Sequence, residues 1–310
     1  MDKLRGTAEM TAAMIISGTI GWFVILSGQP VIDVVFWRCL FGAGTLALIC
    51  LGLGLFRRDV ITARQIGLAV VGGIAIVANW LMLFAAYPRA SISIATAVYN
   101  TQPFMLVGFG VLFFAEKLTA SKLFWLGLAF AGMLGIVQAK SGAAGTDYLV
   151  GIGLALGAAF FYAIAALVAK KLKGVPPHLI ALIQVIVGMA MLAPLASLFH
   201  SPTAEQSWAM QTWVILGTLG IVHTGLMYIL LYGAIQKLPT SLTGALSFIY
   251  PVVAILVDLI AFGHRLDWLQ MIGAGAILIA AAGMTLGWSP LRRSQTQMSS
   301  ASAWKVPGRQ

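Results

Sequence analysis

The stretch QPFMLVGFGVLFFAEKLTASKLFWLGLAFAGMLGIV, residues 102–137, holds two apolar runs on either side of a short polar turn. The hydrocarbon core of a bilayer is about 30 Å thick, and a helix needs about 20 apolar residues to cross it. Lipid offers no partners to open backbone groups, and these runs lack the alternation of a barrel strand. The stretch therefore predicts two transmembrane helices joined by a tight turn.

On both sides of these two predicted helices, apolar runs of similar length fill most of the chain. Of the 310 residues, 60% are hydrophobic and 9% are charged, and the mean hydropathy is +0.95. This composition excludes a soluble domain of the same length. We predict an all-α membrane protein with ten transmembrane helices, near residues 8–27, 31–55, 64–86, 91–115, 122–139, 148–170, 178–199, 212–235, 241–262 and 268–288.

Basic residues lie almost entirely on one side of this predicted bundle. Fifteen Lys and Arg residues fall on the side of the two termini, against three on the other side. Under the positive-inside rule, this asymmetry predicts a multi-pass chain with both termini in the cytoplasm. The net charge of +10 is therefore a topology signal and a source of attraction to anionic membrane lipid. It does not indicate a nucleic-acid partner.

An internal repeat divides the chain. At an offset of 148, residues 72–135 match residues 220–283 at ten of 64 positions without a gap. We predict a first five-helix repeat in residues 1–140, a second in residues 141–288, and a disordered cytoplasmic tail in residues 289–310. Because five is odd, the second repeat is inverted in the membrane relative to the first. Inverted repeats are typical of secondary transporters, which favours a carrier over a channel.

A polar break interrupts each repeat at the same place. In AVYNTQPFM, residues 97–105, Pro103 lies near mid-span, and Pro251 is its repeat mate. Proline removes a backbone donor and kinks a helix, so the carbonyls of Tyr99 and Ser247 lose their partner. We expect both prolines to mark kinks at which the repeats flex. The polar side chains beside them either satisfy the kinks and join helices, or line a cavity.

The second alternative defines a candidate substrate cavity. Both asparagines of the chain lie inside predicted spans, and several Trp and Tyr residues lie deep, away from the membrane interfaces where they are enriched. Aromatic walls with a few amide or hydroxyl groups fit a mostly apolar substrate with a small polar head, although core packing explains any single aromatic residue. The predicted cavity residues are Asn79, Trp80, Tyr99, Asn100, Gln102, His223, Tyr228 and Tyr250.

Away from the ends of the predicted spans, the charged or histidine residues are Arg38, His223 and Asp258. Arg38 and Asp258 are nearer the outer side, where they form either a paired outer gate or, for Arg38, a side chain that snorkels to the interface. His223 lies near mid-depth, where it is either a proton carrier or a neutral hydrogen-bonded core residue.

The sequence contains no motif for catalysis or for metal binding. It has no GxSxG elbow, no Walker loop and no Cys/His pair, and the GIGLALG run at residues 151–157 fits close helix packing. The histidines have no ligand spacing. We therefore expect a protein that is not an enzyme and that needs no metal or cofactor. The histidines are His178, His200, His223 and His264.

Three segments resemble the paired signatures of the drug/metabolite transporter superfamily, in its EamA-type ten-helix branch. They are PVIDVVFWRCLFGAGTLAL around Arg38, the stretch at residues 102–137, and YPVVAILVDLIAFGHRLDWLQMIGAGAILIAAAGMTL at residues 250–286. In both repeats a proline, a turn and a Gly-rich helix follow in order. The chain departs from the family pattern at His264, where the second repeat usually has the glutamate that Glu116 supplies in the first.

Within the superfamily, the pattern is similar to bacterial aromatic amino acid exporters of the YddG type. That resemblance implies a carrier of the bacterial inner membrane that exports aromatic or other hydrophobic amino acids by alternating access. We expect it to act as a monomer on a small-molecule substrate. Carriers of other solutes stay open as alternatives: a lipophilic aromatic cation or drug, a nucleotide sugar, or a phosphorylated metabolite. An intramembrane enzyme or sensor is less favoured, because the sequence shows no polar catalytic cluster.

Overall fold

The computed structural model describes residues 2–57, 59–90, 95, 98–137, 146–198, 209–262 and 268–289. Every regular element in these residues is a helix, as predicted. Six helices are long and apolar enough to cross a membrane, and four shorter apolar helices accompany them. The helices are α1 (Asp2–Ser27), α2 (Val31–Gly52), α3 (Ala63–Ala90), α4 (Gln102–Phe114), α5 (Ala120–Val137), α6 (Thr146–Lys171), α7 (Pro177–Leu198), α8 (Met210–Gly220, Ile221–Leu226 and Met227–Lys237), α9 (Thr240–Ser247 and Ile249–Phe262) and α10 (Trp268–Leu286).

The predicted spans differ from these helices mainly at their ends. The third span was predicted to end at residue 86, and α3 continues to Ala90. The predicted fourth span, residues 91–115, begins in a segment of which only residues 95 and 98 onward are described. The predicted repeat boundary near residue 140 and the predicted tail from residue 290 onward lie outside the described residues, so both stay predictions.

The same turn joins the first two helices of each half. Gly28, between α1 and α2, has a φ of 61°, and Gly174, between α6 and α7, has a φ of 99°. L-residues with a side chain rarely adopt this left-handed backbone, whereas glycine adopts it without cost. A proline follows two residues later in both turns, at Pro30 and Pro176. The turn chemistry is therefore repeated along with the helices.

Contacts between the halves follow an approximate two-fold symmetry. Helix α3 packs against α6 and α7, and its repeat equivalent α8 packs against α1 and α2. Likewise α4 packs against α6 while α9 packs against α1, and three equivalent pairs meet each other, α2 with α7, α4 with α9, and α5 with α10. This exchange of partners, with an odd number of helices in each half, gives ten membrane helices in two inverted five-helix repeats.

Glycines allow the closest approaches between the halves. A Cβ atom at Gly72 of α3 would collide with the Gln184 side chain of α7. A Cβ atom at its repeat mate Gly220 of α8 would collide with the Cβ atom of Phe41 on α2. The contact of α3 with α7 and the equivalent contact of α8 with α2 both need a residue without a side chain. This explains why the glycine is identical in both repeats.

Both predicted kink prolines lie just after a break in their helix. Helix α4 begins at Gln102 after a turn at Asn100 and Thr101, and α9 is interrupted at Phe248, the repeat equivalent of Asn100. The backbone tightens at both places, because the N–H of Thr101 donates to Val98 and the N–H of Phe248 donates to Ala245, each three residues earlier. Flexing at Pro103 and Pro251 stays a prediction.

Candidate functional site

Helix α8 changes its winding at the middle of the bundle. Residues Ile221–Leu226 form a π-helical turn, a feature that is rare and often found at functional sites. The Thr224 hydroxyl donates to the Leu219 carbonyl at 2.9 Å, and the His223 Nδ1 atom lies 3.3 Å from the Thr218 carbonyl oxygen, both five residues earlier. The turn presents His223 and Thr224 toward α1 and α2.

The His223 ring is held between two helices. Its Nε2 atom lies 2.8 Å from the Thr19 hydroxyl of α1. Because the Thr218 carbonyl only accepts hydrogen bonds, the Nδ1 atom carries a proton in its contact. The Thr19 hydroxyl has one proton and also donates to the Ile16 carbonyl at 2.8 Å, so its contact does not fix whether Nε2 accepts or donates. The side chain is 2% exposed and packs against Phe23 with ring centroids 4.8 Å apart. A proton carrier and a neutral, hydrogen-bonded core residue both stay predictions for this histidine.

Arg38 of α2 is buried rather than extended to the interface. It is 1% exposed, so the snorkelling alternative is wrong. Its Nε atom donates to the Thr224 hydroxyl at 3.1 Å, and its Nη2 atom donates to the His223 carbonyl at 3.4 Å. Its guanidinium lies over the Trp80 ring, 4.6 Å from the centroid. Arg38 therefore joins α2 to both α3 and the π-helical turn.

These contacts locate only one of the two residues of the predicted outer gate, Arg38. Within the described residues, no carboxylate lies within ion-pair distance of Arg38. The side chain of Asp258 lies outside the described residues, although its backbone belongs to α9. Pairing between Arg38 and Asp258 stays a prediction.

Tyrosines and one tryptophan from both halves form a continuous cluster. The rings of Trp80 and Tyr228 pack edge to face with centroids 6.0 Å apart, and Tyr228 packs in the same way on Tyr232 at 5.2 Å. Tyr99 packs on Tyr162 at 6.2 Å. Tyr162 packs both against the core that contains Trp80, Tyr228 and Tyr232 and against the smaller core that contains Tyr99, which connects the two groups. Edge-to-face pairs of this kind hold aromatic rings in defined orientations.

Two amide side chains lie buried along this aromatic cluster, and a third is buried close to it in sequence. The Asn79 Nδ2 atom donates to the carbonyl of Ala158 at 2.7 Å, and Ala158 packs in the same core as Tyr99. The Gln184 oxygen accepts a hydrogen bond from the Tyr232 hydroxyl. Asn100, beside Tyr99 in sequence, is fully buried. Hydrogen-bonding groups at this depth are costly unless they are paired, so their arrangement is constrained.

The structure brings six of the eight predicted cavity residues into or against this cluster. Asn79, Trp80, Tyr99 and Tyr228 belong to the cluster, and His223 joins it through Arg38. The partly buried Tyr250 packs against the core that contains Trp80 and Tyr228. Asn100 and Gln102 are buried near the break before α4, and the described contacts do not join them to the cluster. That the eight residues share one cavity stays a prediction.

Sequence analysis did not place four contributing residues in the site. One of them had a usable signal, because Gln184 corresponds to Arg38 at the repeat offset of 146 that also aligns Pro30 with Pro176. The others gave no signal, since ordinary threonines and tyrosines acquire their role only from the packing of α8 against its neighbours. The four residues are Tyr162, Gln184, Thr224 and Tyr232.

A second polar group joins the two halves at the end of the bundle that holds Glu9 and Lys237. We call this the basic end, and it is the predicted cytoplasmic side. The Lys237 Nζ atom lies 2.5 Å from the Glu9 carboxylate, which links α8 to α1. The Lys170 Nζ atom lies 2.8 Å from the carboxylate of Glu116 in the turn before α5, and it also donates to the Leu238 carbonyl.

Glu116 also holds the start of α9. The backbone N–H and the hydroxyl of Thr240 donate to its carboxylate at 3.0 Å and 2.8 Å. Burial raises the pKa of the Glu116 carboxyl, but hydrogen bonds from Lys170 and Thr240 outweigh this effect, so its pKa lies below the ordinary value. One carboxylate thus fastens α6 and α9 to the turn between α4 and α5.

Two inverted helical repeats with a buried polar and aromatic cluster between them define a membrane transporter. The comparison with protein families agrees with this class. The model of the EamA-like transporter family matches residues 7–138 and 149–286, once in each half. The chain belongs to the EamA-like transporter family, which confirms the predicted place in the drug/metabolite transporter superfamily.

Relatives of the chain include transporters from bacteria and archaea. An uncharacterized transporter of Bacillus subtilis, YxxF, is 29% identical over 92% of this chain and 90% of its own. An uncharacterized transporter of Archaeoglobus fulgidus is 27% identical over 91% of this chain and 96% of its own. The threonine/homoserine exporter RhtA of Escherichia coli is 27% identical over 52% of this chain and 54% of its own.

A crystal structure of a related fold superposes with a TM-score of 0.82, covering 93% of this chain and 98% of the other. The two sequences are 18% identical, so this likeness concerns the fold alone.

Proposed function

We propose that this protein is a secondary transporter that exports small amphipathic metabolites, in particular aromatic or other hydrophobic amino acids, by alternating access. Its place is the bacterial inner membrane, with both termini in the cytoplasm. The substrate binds between the two halves, against the cluster of aromatic and amide side chains.

One observation carries this proposal. Trp80, Tyr99 and Tyr228 are buried, and with the partly buried Tyr162 they come from different helices of both halves. Each ring has a polar atom, so the cluster offers apolar faces and hydrogen-bonding edges together. This combination suits a molecule with a flat apolar part and a small polar head.

The similarity to RhtA supports amino acids as the class of exported substrate. It covers about half of each chain, and the partner is named for threonine and homoserine. Those substrates are less apolar than the aromatic walls of this site would favour. We therefore expect larger, more hydrophobic amino acids to be preferred here, while threonine serves as the matched test of that preference.

Counterflow in proteoliposomes tests the proposal. Vesicles holding purified protein are loaded with excess unlabelled solute and diluted into labelled phenylalanine, tryptophan, threonine or a nucleotide sugar. We expect transient accumulation of phenylalanine and tryptophan, less of threonine, and none of the nucleotide sugar. Protein-free vesicles give the baseline. Movement of the nucleotide sugar without any amino acid would overturn the substrate assignment.

A variant of the cluster gives the matched control for this assay. Tyr228→Phe keeps the ring and removes the hydroxyl, while Tyr148→Phe makes the same change at the start of α6, outside the cluster. We expect the Tyr228 variant to lose about tenfold in apparent affinity if its hydroxyl binds substrate. Tyr148→Phe should leave counterflow unchanged. Equal behaviour of the two variants would place the substrate elsewhere.

A further inference from the structure

We infer that Arg38 binds the carboxylate of the transported substrate, an inference that rests on the proposed function. The structure motivates it through a buried charge that has no carboxylate within ion-pair distance among the described side chains, which do not include that of Asp258. Arg38 is 1% exposed, and an arginine keeps its charge at any physiological pH. A buried charge is costly unless an opposite charge and hydrogen bonds compensate it.

The described partners of Arg38 supply only part of that compensation. Both hydrogen-bond acceptors, the Thr224 hydroxyl and the His223 carbonyl, are neutral, and the second lies at the long distance of 3.4 Å. These two bonds use the Nε and Nη2 atoms. The Nη1 atom is not used by any described hydrogen bond of this residue, so it is available to an arriving anion.

The position of Arg38 links such an anion to the aromatic walls. Its guanidinium lies over Trp80, whose ring packs on Tyr228. A carboxylate bound to Arg38 therefore places the rest of a short substrate beside these two rings. This is the arrangement expected for an amino acid with an apolar side chain.

The repeat equivalent of Arg38 carries no charge. Gln184 of α7 occupies the corresponding position in the second half, and it is neutral. Its oxygen accepts from Tyr232, and its Nε2 atom has no hydrogen-bond partner among the described residues. One cation thus stands opposite one amide, which gives the substrate a defined orientation between the halves.

The single cation also limits the class of anion. A phosphate monoester carries up to two negative charges and is usually held by several basic groups. Among the described residues, no second Arg or Lys side chain lies with Arg38 against Trp80 and the π-helical turn. A monocarboxylate balances one guanidinium, and a bidentate contact with it is the geometry that arginine favours.

Competition by analogues tests this assignment. Labelled phenylalanine counterflow is measured with unlabelled phenylalanine, with phenylalaninamide, which lacks the carboxylate, and with 3-phenylpropionate, which lacks the amine. In the natural protein we expect phenylalanine to compete at least about tenfold better than its amide. Arg38→Gln should remove that preference, and Arg38→Lys should retain part of it. Equal losses for the acid and the amide would assign Arg38 a purely structural role.

Two further measurements keep the outcomes separable. Arg57→Gln removes an exposed guanidinium from the turn after α2 and should leave the preference unchanged. Thermal stabilisation of the purified protein by 3-phenylpropionate reports carboxylate binding without transport, and it should be weaker in Arg38→Gln. Absence of counterflow by the natural protein would sink the proposed function alone. Equal stabilisation of the natural protein and Arg38→Gln would sink the carboxylate site.

Discussion

The two ends of the bundle are built from equivalent helices but are fastened differently. At the basic end, α8 meets α1 through the ion pair of Lys237 and Glu9, whose side chains are 25% and 15% exposed. At the opposite end, α3 meets α6 through Arg89 and Asp147 at 3.5 Å, with the Asp147 side chain 81% exposed. Arg89 is the repeat mate of Lys237. The same position therefore forms a half-buried contact at one end and a solvent-screened contact at the other.

The second ion pair of the basic end has no charged equivalent. Glu116 corresponds at the repeat offset of 148 to His264, and Lys170 corresponds to Val24 at the offset of 146 that aligns Pro30 with Pro176. Neither of these equivalents is a carboxylate or an amine. Within the described residues, the partly buried ion pairs between the halves lie at the basic end. We infer that the resting state favours closure at this end, because exposed ion pairs contribute little and partly buried ones contribute more.

The largest effect is expected from Glu116→Gln. It removes the charge that pairs with Lys170 and accepts from Thr240, a loss of about 1.5–3 kcal/mol. Opening is measured in detergent-solubilised protein by maleimide labelling of Ser241→Cys, a buried position of α9, after both natural cysteines are replaced by alanine. We expect labelling to rise about tenfold or more. Unchanged labelling would show that this carboxylate does not close the basic end.

A reporter at the opposite end distinguishes opening from unfolding. Ser27 ends α1 and is 3% exposed, so Ser27→Cys reports on the other end of the bundle. In a two-state carrier, Glu116→Gln should raise labelling at Ser241→Cys while labelling at Ser27→Cys stays constant or falls. A rise at both positions would indicate general loosening instead.

Acid should reproduce the effect of Glu116→Gln. The pKa of the Glu116 carboxyl is lowered in the folded state, so its contribution is present above the ordinary glutamate pKa and is lost as pH falls through the lowered value. We expect labelling of Ser241→Cys, measured as a rate per thiolate, to be flat between pH 7 and about 5 and to rise below about 4. Glu116→Gln should be insensitive over that lower range. A rise between pH 7 and 5 would implicate another group.

The difference between the two ends separates the features that the sequence predicted from those that it did not. Apolar runs and the repeat predicted the helices and their inversion, because both depend on local hydropathy and on chain parity. The basic residues were interpreted as a topology signal, and Lys170 and Lys237 contributed only as charges. Their partners lie far away in sequence: Lys170 and Leu238 are 68 residues apart, and Lys237 and Glu9 are 228 apart. Hydropathy and spacing carry no information about such pairs.

The sequence likewise predicted some residues of the candidate site and not others. Deep Asn and Trp or Tyr residues were visible because such side chains are rare in hydrocarbon, and Asn79, Trp80 and Tyr228 were selected on that ground. Burial of Arg38 was not predicted, since it depends on the π-helical turn that brings Thr224 and the His223 carbonyl to it. Winding defects of this kind arise from packing and leave no clear pattern in sequence.

A smaller effect is expected when the other basic-end ion pair is broken. Glu9→Gln removes one contact with Lys237, and we expect about 1 kcal/mol, or about a fivefold rise in labelling of Ser241→Cys. The charge exchange Glu9→Lys with Lys237→Glu should restore much of the closure, although Arg5 then loses its contact with Glu9. Failure of the exchange to improve on either single change would show that the pair acts through packing.

The comparison can also be tested by making the ends alike. The double substitution Val24→Lys and His264→Glu gives the opposite end the residue types of Lys170 and Glu116. We expect the new ion pair to favour closure at that end and to slow phenylalanine counterflow about threefold. Each single substitution is the control. Slowing by Val24→Lys alone would indicate loss of an apolar contact rather than gain of an ion pair.

The smallest effect is expected at the exposed contact of the opposite end. Asp147→Asn removes the partner of Arg89, but Asp147 is 81% exposed and the charges lie 3.5 Å apart. Water and salt screen such a pair, so labelling at Ser27→Cys and at Ser241→Cys should change less than about twofold. Repeating the measurement at low ionic strength sharpens the test, because screening is then weaker. If Asp147→Asn matched Glu116→Gln in effect, the two ends would be equivalent in strength, and the closure of the basic end would need a cause other than its ion pairs.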